Sequence, residues 1–140
     1  MKNILIVSNS DTCRSRMAQE ILNSFGRGMK ISTAGVLVGN SVPDVVCQVM
    51  EQNGYDFSRR KPCDVATYTQ QTWDYVITLC PEAEEVQKEM QGVVRKYVSF
   101  NFADPFRGGI HADDEQEERV VALYNAMHKE LYEFFRSELM

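Results

Sequence analysis

Apolar and polar positions fall into alternating blocks along the chain. Residues 2–7 are an apolar, β-branched run closed by Ser8-Asn9-Ser10-Asp11, the pattern of a buried strand ending in a polar loop. Met17, Ile21, Leu22 and Phe25 recur at helical spacing, with Gly26 expected as the C-terminal cap. Residues 30–33 predict a short second strand before Ala34-Gly35. A second helix is expected from Ser41, with that serine as cap, Pro43 in the first turn and Asp44 reaching back. Its apolar face is Val42, Val46, Val49 and Met50, and Gly54 ends it. Residues 58–72 are polar and predict at most a short helix. Residues 73–79 read as a third strand, 82–90 as a helix and 96–100 as a fourth strand. Asp104-Pro105-Phe106 then opens a loop containing Gly108-Gly109. In the last segment Val120, Tyr124, Met127, Leu131 and Phe134 alternate spacings of four and three, a long amphipathic helix. Asp113, Asp114, Glu115, Glu117 and Glu118 crowd its start, where the macrodipole favours anions, and read as a solvated face.

Strands alternating with helices imply an α/β fold. The expected form is a single three-layer domain over residues 1–140, a four-stranded parallel sheet with helices on both faces (Rossmann- or flavodoxin-like). Ligands of such sheets bind beyond the carboxyl ends of the strands, so loops 8–15, 34–41, 79–84 and 101–110 are the ones to read. At 140 residues one core suffices, and a 44% hydrophobic composition can fill it. Fifteen Lys+Arg against twenty Asp+Glu leave −5, which argues against nucleic acid. No apolar run approaches a membrane span, and a cytoplasmic location is expected. Cys13, Cys47, Cys63 and Cys80 are too dispersed for a zinc framework or a disulfide scaffold.

The first loop carries the most chemistry. A small polar strand-to-helix loop aims backbone N–H groups and a helix N-terminus at one point, which makes an anion cradle. Arg14 adds a planar, permanently charged fork suited to tetrahedral oxyanions. No metal or organic cofactor is implied, because the loop and Arg14 supply the positive field.

The loop, with Arg14-Ser15 and then Met17-Ala18, resembles that of the low molecular weight protein tyrosine phosphatases. That family shares its fold with thioredoxin-coupled arsenate reductases and carries C-x5-R-S after its first strand. Ser32-Thr33-Ala34-Gly35 is similar to its S-A-G after strand 2, and Asp104-Pro105-Phe106 resembles its late D-P-aromatic motif. The resemblance implies hydrolysis of a phosphorylated protein side chain, tyrosine first and arginine next, through a phosphoenzyme. Position 8 would attack phosphorus. Asn9, Ser10, Asp11, Thr12, Cys13, Arg14 and Ser15 would bind the phosphoryl group, with Ser15 bonded to the nucleophile. Asp104 would be general acid and then base, and Phe106 the wall on which the substrate stacks.

The departure is central: position 8 is Ser, not Cys. A serine hydroxyl ionises far above the cysteine value of about 8.5, and no His is near in sequence to act as its base. This chain is therefore expected to bind oxyanions but barely turn over. The retained Arg14, Ser15 and Asp104 favour an introduced Cys-to-Ser exchange in a phosphatase over a naturally serine-bearing, non-catalytic binder. The family often has Gly-Asn where this chain has Ser10-Asp11. Asp11 tolerates a left-handed backbone and can brace the loop, but its charge opposes an anion unless paired. Cys13 and Cys80 are the candidates for redox chemistry. Cys80 follows strand 3, as the first resolving cysteine of the arsenate reductases does, but no further cysteine follows in the next helix. The partners implied are a phosphorylated protein or a small oxyanion (phosphate or arsenate), and thioredoxin if the chain were a reductase. Arg59, Arg60 and Lys61 read as solvated charges that could attract an acidic phosphoprotein.

Overall fold

A computed structural model describes residues 1–57, 60–109 and 111–140. Its centre is β1, Lys2–Ser8, which pairs with a strand along each edge and whose apolar run is buried on both faces because a core layer covers each of them. The sheet has four parallel strands in the order β2-β1-β3-β4, with β2 at Met29–Gly35, β3 at Trp73–Thr78 and β4 at Val94–Ser99. From β1 the chain moves to one side to build β2 and then to the other for β3 and β4. The loops after β1 and β3 therefore part at a switch point, where a crevice opens.

Period-two alternation divides the core into two layers. Ile4, Ile6, Tyr75 and Ile77 face three α-helices: α1 (Arg14–Asn23), α2 (Asp44–Gln52) and α3 (Asp113–Phe134). Leu5, Val7, Ala34 and Val76 face the other way, against two 3-10 helices, Val65–Tyr68 and Pro81–Lys88. The expected three layers are present, but the second is thin. The helix expected over 82–90 is a 3-10 helix, started by Pro81 and burying only Ala83 and Val86. All four strands are found where the patterning placed them. β2 is longer than expected, because Ala34 and Gly35 pair with Val7 and Ser8.

Two helix ends differ from expectation. Pro43, extended at φ −61° and ψ 146°, is itself the N-cap of α2, so Ser41 lies outside the helix and Val42 is buried ahead of it. Gly26 does not cap α1, which ends at Ser24 with an ordinary helical backbone. Its constraint is packing: a Cβ there would stand 2.7 Å from the Phe135 ring of the C-terminal turn. Among the described residues no helix is long and apolar enough to cross a membrane.

Candidate active site

Ser8 ends β1 and Arg14 begins α1, so five residues make the turn between them. Cys13 occupies the N-cap position without a side-chain capping bond, and first-turn amides have no acceptor within their own helix. The segment after β2 fixes the loop from outside. Val36, Leu37 and Gly39 donate their N–H groups to the carbonyls of Ser8, Asn9 and Ser10 at 3.2, 2.8 and 2.9 Å. Gly35 is required there: a Cβ would lie 2.7 Å from the Ser10 carbonyl carbon and 2.9 Å from the Asp11 nitrogen.

Asp11 takes the left-handed conformation, φ 57°, which Asp and Asn tolerate best among side-chain-bearing residues. Its fully buried carboxylate accepts from the Ser15 hydroxyl at 2.6 Å and from the Cys63 N–H at 2.9 Å. Because the Ser15 proton is engaged there, the 2.8 Å bond between Ser8 and Ser15 has Ser8 as its donor. Ser8 Oγ also accepts from the Asp11 N–H at 3.3 Å.

These elements close a pocket of about 160 Å³, lined by Ser8, Asn9, Ser10, Thr12, Cys13, Arg14, Pro43, Asp104 and Phe106. The Arg14 guanidinium is held by a 3.0 Å bond to the Phe102 carbonyl, which orients its fork. On the opposite wall Asp104 accepts from the Phe106 N–H at 2.9 Å, and Gln116 donates to the Pro105 carbonyl at 2.6 Å. Beyond Phe106 lies an open cleft of about 790 Å³ bearing Asp44, Asp113, Asp114 and Glu117.

The structure brings together Ser8 through Arg14 with Asp104 and Phe106, as the sequence motifs require, but puts Asp11 and Ser15 beneath the loop instead of on its surface. Burial pushes the Cys13 thiol up to about 12, with Arg14 pulling the other way and Asp104 adding to the rise. The Cys80 thiol is also raised by burial, and Arg14 again opposes. Both are 6% exposed or less and neutral at ordinary pH. Arg60 is not a solvated charge: it is half-buried and donates to Gln19 and Thr33, both at 2.9 Å. Arg59 lies outside the described residues. Sequence patterning had no means of finding the Cys63 amide, the Phe102 carbonyl or Pro43, since the first two act through the backbone and Pro43 has no reactive group. Among the described residues no three His, Cys, Asp or Glu side chains gather to hold a metal.

Comparison with known proteins decides the ancestry. The family model for low molecular weight phosphotyrosine protein phosphatases matches residues 3–134. The chain belongs to this family. Among its relatives, the probable low molecular weight protein-tyrosine-phosphatase EpsP of Ralstonia nicotianae is 26% identical over 129 residues, 86% of this chain and 89% of that one. The glutaredoxin arsenate reductase of Synechocystis sp. is 29% identical over 80 residues, 57% of this chain. The aligned stretch spans 61% of that reductase's length. The crystal structure of the Erwinia amylovora tyrosine phosphatase AmsI superposes with a TM-score of 0.77 at 16% identity, covering 100% of this chain and 95% of that one. An arsenate reductase in the phosphate binding state superposes with a TM-score of 0.73 at 19% identity over 98% of each chain, so tyrosine phosphatases and arsenate reductases share this fold.

Proposed function

We propose that this member of the phosphatase family is an oxyanion receptor. It binds the phosphoryl group of a phosphorylated protein side chain, tyrosine first and arginine next, and does not pass it through a phosphoenzyme. The observation that carries the reading is the state of Ser8. It stands where the family's nucleophile stands, with its proton committed to the neutral Ser15 oxygen and no histidine lining the pocket. Ser8 Oγ bonds directly to the Ser15 hydroxyl and the Asp11 N–H, neither of which is a base that would make it an attacking oxyanion. Binding needs none of that. Arg14 presents its fork, the amides at the start of α1 point their dipoles inward, and Phe106 offers a face to an aromatic or guanidinium group.

Calorimetric titration of the native chain with inorganic phosphate and with phosphotyrosine tests this. Saturable binding is expected, with Arg14→Ala weakening it about a hundredfold, the equivalent of one or two charge-assisted hydrogen bonds. Absence of saturable binding by the native chain overturns the reading, and so does phosphate release from phosphotyrosine at a rate that Ser8→Ala abolishes. A second reading, arsenate reduction with thioredoxin, is supported by Cys80 at the end of β3 within the field of Arg14. It predicts that Ser8→Cys reduces arsenate with thioredoxin and that Cys80→Ser in that background does not.

A further inference from the structure

The departures at positions 8 and 11 are joined by hydrogen bonds, and their polarity is fixed. Asp11 offers acceptors only. One oxygen takes the Cys63 N–H at 2.9 Å and the other takes the Ser15 O–H at 2.6 Å. Ser15 therefore has no proton left for position 8, and the group there must donate to Ser15, as the Ser8 hydroxyl does at 2.8 Å. Asp11 and Ser15 are fully buried and off the pocket lining, so water does not supply either with a missing donor, while Ser8 alone of the three borders the pocket.

An asparagine at position 11 reverses this order. Its single oxygen is needed by the Cys63 N–H, since turning the amide round would set N–H against N–H in a buried place. The Asn NH2 then donates to Ser15 Oγ, and the Ser15 proton is released toward position 8. A thiolate at position 8 requires that arrangement, because it accepts and cannot donate. A hydroxyl suits the Asp11 arrangement.

We propose that Asp11 is the positioning residue that sets the hydrogen-bond direction of the pocket floor, so that Ser8 and Asp11 form a matched neutral floor for an oxyanion receptor. The proposal deepens the receptor reading and rests on it. A serine exchanged into an otherwise catalytic phosphatase would change position 8 alone, whereas this chain also carries Asp11 where the family it resembles often has asparagine. The charged and titratable groups facing this floor are Arg14 and Asp104 from the pocket, and Arg16, Arg60, Cys63 and Tyr68 from behind. All of them, with Cys13 in the pocket, are common to the variants compared below. Asp11→Asn, however, also removes a buried negative charge beside position 8, which lowers the thiol pKa by itself. Ser8→Cys/Asp11→Asn/Ser15→Ala is therefore compared as well, and Ser15→Ala should raise the pKa in the Asp11→Asn background and not in its absence.

The test places a thiol at position 8 and reads its ionisation from the pH dependence of iodoacetamide alkylation, quantified on the peptide carrying residue 8. Ser8→Cys, Ser8→Cys/Ser15→Ala and Ser8→Cys/Asp11→Asn are compared, with thermal unfolding of each as the check on folding. With Asp11 present the group at position 8 donates to Ser15 and receives nothing from it, so removing Ser15 should leave the thiol pKa unchanged or somewhat lower, and never raised. Exchanging Asp11 for Asn should lower it by about one unit or more, a tenfold gain in thiolate at neutral pH. It should also raise kcat on para-nitrophenyl phosphate without a matching change in KM. A rise of a unit or more in Ser8→Cys/Ser15→Ala overturns the proposal, even if the Asp11→Asn protein fails to fold. An unchanged pKa in a folded Ser8→Cys/Asp11→Asn protein overturns it too. Alkylation needs no bound oxyanion, so its outcome is independent of the phosphate titration that tests the receptor reading.

Discussion

Ser8, Asp11 and Ser15 on the pocket floor are buried to 2% exposure or less, and each is bonded to another of the three. Asp104 and Phe106 on the wall are partly exposed, and their loop is held by bonds within the turn, from the Phe106 N–H to the Asp104 carboxylate and from the Arg107 and Gly109 N–H groups to the Asp104 and Phe106 carbonyls, and by one from Gln116. The two regions face one cavity yet differ in how far a change travels. On the floor each donor has one acceptor and no water to replace it, so one exchange resets its neighbours. On the wall a side chain is replaced by solvent at modest cost. Both regions carry residues that resemble the family's motifs, Arg14 and Ser15 by the floor and Asp104 and Phe106 on the wall, whereas the departure from those motifs at position 8 is on the floor.

The largest effect should come from pressing on the floor from outside. In Gly35→Ala the new Cβ meets the Ser10 carbonyl carbon and the Asp11 nitrogen, which are backbone atoms held by the bonds of residues 36–39. Such overpacking costs about 1–3 kcal/mol. The variant should unfold at lower temperature and lose at least about tenfold in phosphate affinity, measured by calorimetry. Native affinity in that variant would mean that the floor is as yielding as the wall.

Counted per pH unit, the next effect belongs to Cys13. Its thiol is raised from the ordinary 9.0 to about 12 by burial. A group raised on folding holds its proton more tightly in the native state, so its contribution is fully present below pH 9 and is lost as pH rises through 12. In that window the native chain should lose about 1.4 kcal/mol per pH unit relative to Cys13→Ala, read from urea unfolding at pH 9 and above. The comparison with Cys13→Ala cancels the alkaline titration of the raised tyrosines Tyr68, Tyr75, Tyr97 and Tyr124 and of the raised Cys80 thiol.

How much of this was legible differs along the chain. β1 announced itself because it is buried on both faces, and α3 because its inner face recurs at helical spacing over Val120, Met127, Leu131 and Phe134. The Pro81–Lys88 segment misled because Ala83 and Val86 sit at a spacing shared by 3-10 and α-helices, and nothing local distinguishes them. Gly26 misled because glycine permits both a cap and a close contact, and the ring of Phe135 arrives from the far end of the chain. In the site, Ser8, Arg14, Asp104 and Phe106 were visible as residue types at a family spacing. The direction of the floor's hydrogen bonds was not. It depends on the Cys63 amide, a backbone group 52 residues from Asp11 in a stretch without periodicity.

The smallest effect belongs to the wall and sharpens the comparison most cheaply. Phe106 lines the pocket while staying packed against the core on its other side, so truncation should not collapse the loop that Gln116 and Asp104 hold. Its ring contributes only where the ligand has a face to stack, and such contacts are worth about 0.5–1.5 kcal/mol. Phe106→Ala should therefore weaken phosphotyrosine by about two- to tenfold and leave inorganic phosphate unchanged, by calorimetry under identical conditions. Inorganic phosphate reports the floor alone and the aryl ester reports floor and wall together. If both ligands weakened equally, Phe106 would be supporting the cradle itself, and the division between a cooperative floor and an independent wall would fail.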